Sequence, residues 1–152
     1  MSGTEIDNLL KKGRSYAKRT KFREALAYFD KALRLDPRSA PAWCFRAGAL
    51  VETERYSEAL EAAEKAIAID QNYAEAWSKK GLALFNLERY RESADACTRA
   101  LALNANDASA WYVKGVCLDE LGKNEEAEVA YAKSLELEII ADMESEKKKI
   151  KK

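Results

Sequence analysis

Apolar residues recur along this chain with a helical spacing at short range and a fixed 34-residue period at long range. Taking Ile6, Ala40, Ala74 and Ala108 as first positions, the fourth position reads Leu9, Trp43, Trp77, Trp111, and the eighth reads Gly13, Ala47, Gly81, Gly115. The eleventh reads Tyr16, Leu50, Leu84, Leu118; the twentieth Ala25, Ala59, Ser93, Ala127; the twenty-fourth Phe29, Ala63, Cys97, Tyr131; the twenty-seventh Ala32, Ala66, Ala100, Ser134. Positions 4, 8 and 11 share one helical face, as do 20, 24 and 27, because residues three and four apart are neighbours on a helix. Each unit therefore holds two amphipathic helices. A unit of this size cannot bury its apolar face alone and must stack on its neighbours.

The residue types fit that packing. A bulky aromatic fills the groove between helices, while Gly, Ala or Ser at the crossings lets two backbones approach closely. Within each unit the helices are joined at Thr20-Lys21-Phe22, Glu54-Arg55-Tyr56, Glu88-Arg89-Tyr90 and Gly122-Lys123-Asn124, connections short enough to require antiparallel neighbours. Gly122 suits a left-handed helix end. Between units, Asp36-Pro37-Arg38-Ser39 supplies a break with Ser39 as N-cap and Pro41 in the first turn, and Asp107 is placed to cap the fourth unit. No turn signal follows that unit. Leu135, Ile139, Met143 and Ile150 continue at steps compatible with one helical face, so the last helix is expected to run long, to form the polar cap that an array needs, and to fray in its last turn.

The order Trp/Leu, Gly/Ala, Tyr/Leu, Ala, Phe/Tyr, Ala, Pro resembles the tetratricopeptide repeat over about residues 4–140. Pro37 is the only proline at the family position, replaced by Gln71, Ala105 and Ile139, and Asn124 stands where the other units have Phe22, Tyr56 and Tyr90. The resemblance implies an all-α, right-handed superhelix of four units (6–39, 40–73, 74–107, 108–141) with an extended C-terminal capping helix, the charged segment 142–152, in one domain spanning 1–152.

In that family the first helices of successive units line a concave surface, and peptides touch repeat positions 2, 5, 6, 9, 12 and 13. Carried over, these positions imply a groove with three zones. Arg14 and Lys18, with Asp7, Leu10 and Lys11 nearby, make a mainly basic end; Cys44, Phe45, Val51, Leu82 and Phe85, beside Lys79 and Glu75, make an apolar middle; Tyr112, Val113 and Val116 lead to Asp119 and Glu120 at an acidic end. Stacked first helices do not need apolar residues at outward positions, so the cluster implies a patch that is covered in use. The expected ligand is a peptide or protein segment with an acidic end, apolar anchors and a basic end. The family's clamp for the Glu-Glu-Val-Asp tails of heat-shock chaperones needs Lys and Asn, then Asn, then Lys and Arg. Here Leu10, Arg14, Phe45, Glu75 and Lys79 stand at those places, so that ligand is not expected.

Charge changes this picture modestly. The net charge is zero, but residues 1–39 carry ten basic against five acidic side chains and residues 108–146 three against ten. Ends of opposite sign can orient a charged partner or favour head-to-tail association, so the protein is expected to be a monomer or a weak homo-oligomer. A base stands at the seventh position of every unit (Lys12, Arg46, Lys80, Lys114). Such spacing could meet nucleic-acid phosphates, but pairing with acids such as Asp36 or Asp70 is the expected role, and the acidic fourth unit argues against nucleic acid.

Composition excludes other classes. There is no histidine, the commonest general base and metal ligand near neutral pH. Glycines are isolated, no serine sits in a nucleophile elbow, and no Cys/Asp/Glu set has ligand spacing, so catalytic residues, metal and cofactor are not expected. Three cysteines without a close pair fit a reducing compartment, and Cys97 and Cys117 are expected in the core. No apolar run approaches the roughly 20 residues of a membrane span, and Met1–Lys12 lacks signal-peptide order. A cytoplasmic, non-catalytic adaptor is the reading these observations favour, with self-association as the alternative.

Overall fold

The computed structural model describes residues 2–152, which form eight α-helices. These are α1 (Ser2–Lys18), α2 (Phe22–Leu35), α3 (Ala40–Glu52), α4 (Tyr56–Ile69), α5 (Ala74–Asn86), α6 (Tyr90–Leu103), α7 (Ala108–Glu120) and α8 (Asn124–Ile150). Each odd-numbered helix pairs with the next into an antiparallel hairpin, and the four hairpins stack in chain order. Among the described residues odd helices touch one another along the stack, whereas even helices touch only odd ones. The stack therefore curves with α1, α3, α5 and α7 on its inner side, which makes the chain an α-solenoid.

Every hairpin turns at the same repeat position through a residue in the left-handed region: Thr20 (φ 59°), Glu54 (61°), Glu88 (60°) and Gly122 (79°). The following N–H then reaches back to the helix: Lys21 donates to Tyr16 O at 2.9 Å, Arg55 to Leu50 O at 2.8 Å, Arg89 to Leu84 O at 2.9 Å and Lys123 to Leu118 O at 2.8 Å. This backbone closure satisfies carbonyls that a helix end leaves orphaned. It also explains why three turns tolerate a residue other than glycine, at a cost of about 1–2 kcal/mol each.

The loops between units are held from two sides. Asp36, Asp70 and Asn104 accept the backbone N–H two residues on, at 3.0, 3.0 and 3.1 Å. Trp43, Trp77 and Trp111 each donate an indole N–H to the carbonyl six residues earlier, on Pro37, Gln71 and Ala105, at 2.8, 2.9 and 2.9 Å. The tryptophan is thus both packing and clasp. Ser39 and Asp107 are caps as expected, accepting from Ala42 N at 3.3 Å and Ala110 N at 3.0 Å.

The small eighth position is matched to its partner at position 24. A methyl group on Gly81 would lie 2.6 Å from Cys97 Sγ, one on Gly115 would lie 2.7 Å from the Tyr131 ring, and one on Gly13 would collide with Phe29. In the second unit position 24 is Ala63 and position 8 is Ala47, both fully buried. Ser93, also buried, donates its hydroxyl to Gly81 O at 2.6 Å, so the third crossing is hydrogen-bonded as well as close.

The fourth unit departs from this plan at its end. Glu138 stands where Asp36, Asp70 and Asn104 form turns, and α8 runs through it to Ile150, a length of 27 residues. The long helix is as expected; Leu135, Ile139, Met143 and Ile150 remain exposed along it, and α8 packs on α7 and on no other described element. No helix among the described residues is long and apolar enough to cross a membrane.

Candidate peptide-binding groove

The inner side of the stack holds a cavity of about 410 Å³ between α1, α3, α5 and the α6–α7 loop. Arg14 reaches it from α1, Phe45 and Gly48 from α3, and Ser78, Lys79 and Leu82 from α5. The structure therefore brings together five residues that repeat position assigns to the groove: Arg14, Phe45, Glu75, Lys79 and Leu82. Phe45 and Leu82 are half-buried, with faces left for a ligand. The Arg14 guanidinium lies over the Phe45 ring, 4.9 Å from its centroid, and Phe29 packs against that ring at 5.8 Å. Lys79 passes the bare backbone of Gly48, where an added methyl would lie 3.4 Å from its Cε.

Both cations point into the same cavity, and among the described residues neither is in an ion pair. Glu75 and Asp107 also line it, but the Asp107 carboxylate is occupied in capping α7. The floor is apolar, the rim carries the two cations and the Glu75 carboxylate, and the α7 end is polar.

Two expected groove residues are elsewhere. Cys44 is 0 % exposed, packed with Ala66 and Ala76 among Trp43, Ile67 and Tyr73, and Val51 is buried in the main core. The reason is stacking: at repeat position 5 exposure rises from buried Leu10 and Cys44, through half-buried Ser78, to exposed Tyr112, since each unit covers the one before. Position 12 ends likewise, with Val51 buried, Phe85 half-buried and Asp119 exposed. The other residues lie outside the cavity. Phe85 stacks with Tyr90 at 6.1 Å, Tyr112 with Tyr131 at 5.8 Å, Val116 is half-buried, and Lys18, Asp119 and Glu120 are exposed near the helix ends. Asp119 accepts the Tyr131 hydroxyl at 2.9 Å; burial first, and that bond second, hold the phenol up to about 12.

Gly48 and Ser78 were missed, although they stand at positions 9 and 5, among the contact positions already used. Asn104, Asp107 and Ser109 reach it only through the stacking of the fourth unit, for which the sequence carries no local signal.

The seventh-position bases have different partners from those expected. Arg46 Nε donates to Asp30 at 2.8 Å, while Lys80 and Lys114 lie over Trp77 and Trp111, each 5.4 Å from the ring centroid. Asp36 and Asp70 are instead committed to their own turns. The thiols are unsuited to nucleophilic chemistry: burial, ahead of Glu75, pushes Cys44 up to about 12, and burial, ahead of Cys117, does the same for Cys97.

A curved stack of helical hairpins with an open inner cavity defines the class as a helical-repeat scaffold. The family model of the tetratricopeptide repeat matches residues 10–74 and 78–142, two windows offset by 68 residues or twice the repeat period, and the chain belongs to that family. Such domains mediate protein–protein interaction. No curated protein matches it in sequence. Among solved structures it is similar to MamA, with TM-score 0.78 and 25% identity over 91% of this chain and 81% of the other. It is also similar to the first TPR of Spaghetti (RPAP3) bound to the HSP90 peptide SRMEEVD, with TM-score 0.75 and 26% identity over 78% and 94%. A thermophilic TPR protein of Thermus thermophilus shares the fold, with TM-score 0.78 and 21% identity over 88% and 74%.

Proposed function

We propose that the protein is a non-catalytic adaptor whose inner groove binds a peptide segment carrying a carboxylate next to an apolar side chain. The observation behind this reading is the placement of Arg14 and Lys79, neither ion-paired among the described residues, around the half-buried Phe45 and Leu82 in one cavity. A carboxylate between the two cations gains charge-assisted hydrogen bonds, and an adjacent apolar side chain covers the exposed ring and leucine faces. Arg14 is partly pre-organised by the Phe45 ring, which lowers the entropy lost on binding. That one structural relative is bound to a peptide supports this ligand class. The particular tail SRMEEVD does not suit the groove, because buried Leu10, Phe45 and Glu75 replace a base, an amide and a base of the chaperone clamp.

Selection of a random peptide library on the immobilised protein tests the proposal. Recovered peptides should share an acidic residue beside an apolar one, and the Arg14→Ala/Lys79→Ala variant should bind them at least tenfold more weakly. Peptides that bind the variant as well as the wild type would place the ligand elsewhere.

A further inference from the structure

The exposed large apolar side chains of this molecule are concentrated at one end. Among the described residues only Leu35 lies outside α7 and α8. On α8, Leu135, Ile139, Met143 and Ile150 fall within about 80° of arc on a helix of 3.6 residues per turn, and Ile140 flanks them. That stripe is turned away from α7, which is met by Ala127, Ala130 and Ser134 on another side of the helix. The α8 helix has 27 residues, about twice the 13 of α7, so its last half, about 20 Å long, has no helical neighbour. A helical segment in water draws most of its stability from packing an amphipathic face. Nothing in the described chain supplies that packing.

We propose that the occupant of this stripe is α8 of a second copy of the chain, lying antiparallel to the first about a two-fold axis near Ile139. Charge selects both the partner and its direction. Residues 124–146 carry eight acidic side chains against Lys133 alone, whereas residues 147–152 carry five lysines and no acid. Parallel pairing would set acid against acid and lysine against lysine. Antiparallel pairing about Ile139 lays Leu135 against Met143 of the second copy and runs the lysine segment 147–152 along its residues 126–131, where Glu128 lies on the side of the helix that carries the stripe. The same patch thus serves both copies, as a two-fold interface requires. The inner groove of each copy stays open, since α8 contributes nothing to its lining.

Sedimentation equilibrium of the full chain over a hundredfold range of concentration tests the pairing. A reversible monomer–dimer equilibrium that weakens with added salt is the expected result, with the Ile139→Glu/Met143→Glu variant at least 100-fold weaker in dimerisation. Both residues are exposed and lie outside the contact of α8 with α7, so the variant should keep the cooperative melting of its array, with any loss of helical circular dichroism confined to the unpaired end of α8. Direction is read by oxidative cross-linking. A mixture of Leu135→Cys and Met143→Cys chains should give the mixed disulfide, and Leu135→Cys alone should give little. A wild type that stays monomeric throughout, a variant that dimerises as the wild type does, or preferential cross-linking of Leu135→Cys to itself would each overturn the proposal.

Discussion

The Arg14 guanidinium stands 4.9 Å from the centre of the Phe45 ring, a contact between the first and second repeats on the inner face of the array. It holds at the rim of the groove a cation that has no carboxylate partner among the described residues. An exposed cation–π contact contributes only about 0.5–1 kcal/mol, so Arg14→Ala should scarcely change urea unfolding while lowering affinity for an acidic peptide at least fivefold. Phe45→Ala should do both, losing about 2 kcal/mol of stability through the cavity left against Phe29. Unfolding curves and calorimetric titration of one peptide against both variants check this.

Gly48 separates opening a groove from packing a core. An added methyl there meets the flexible Lys79 stem at 3.4 Å and no backbone. Gly48→Ala should therefore be neutral or stabilising by up to about 1 kcal/mol through helix propensity and leave Lys79 in place, whereas Gly48→Leu should weaken peptide binding by filling the cavity. Retained affinity in Gly48→Leu, measured by calorimetric titration, would place the ligand outside this cavity.

At Gly81 the outcome should reverse. Its neighbour is the Cys97 sulfur at 2.6 Å, within a packed crossing, so Gly81→Ala should cost about 1–3 kcal/mol. Adding Cys97→Ala should recover part of that loss, reproducing the Ala47/Ala63 pairing of the second unit. A double-mutant cycle by denaturant unfolding measures the coupling.

The left-handed turns offer a stabilising change. Glu54→Gly and Glu88→Gly relieve a backbone conformation that favours glycine, and each should raise stability by up to about 1 kcal/mol after the greater freedom of the unfolded chain is discounted. Gly122→Ala should lower it by a similar amount, about 1 kcal/mol. Melting temperatures of the three variants decide the sign.

Burial raises the Cys44 and Cys97 thiols from 9.0 to about 12 in the folded protein, so folding opposes their ionisation. The unfolded chain loses these protons first. Stability is then unaffected well below pH 9 and declines as pH rises from the ordinary thiol value toward about 12, by at most about 1.4 kcal/mol per pH unit for each thiol. Cys44→Ala/Cys97→Ala should flatten that decline. Ellman's reagent should find no rapidly reacting thiol in the native protein and all three in denaturant.

The periodic part of this protein is written in its residues. Tryptophan, small residue and leucine at steps of three and four dictate amphipathic helices, 34-residue identity dictates repetition, and Ser39 and Asp107 mark two helix starts because a side-chain oxygen there satisfies a local N–H. That Arg14, Phe45, Glu75, Lys79 and Leu82 share one side of the stack was also legible, because repeat position maps onto a side of the helix. Tertiary structure alone decided how each unit covers the one before it. That stacking buries Cys44 and Val51, exposes Tyr112 at the equivalent of Cys44, and carries Asp107 and Ser109 to the groove. It also leaves the Leu135–Ile150 stripe bare. Helical periodicity is a local property written in neighbouring residues, whereas burial depends on the side chains that a different repeat brings over the same surface.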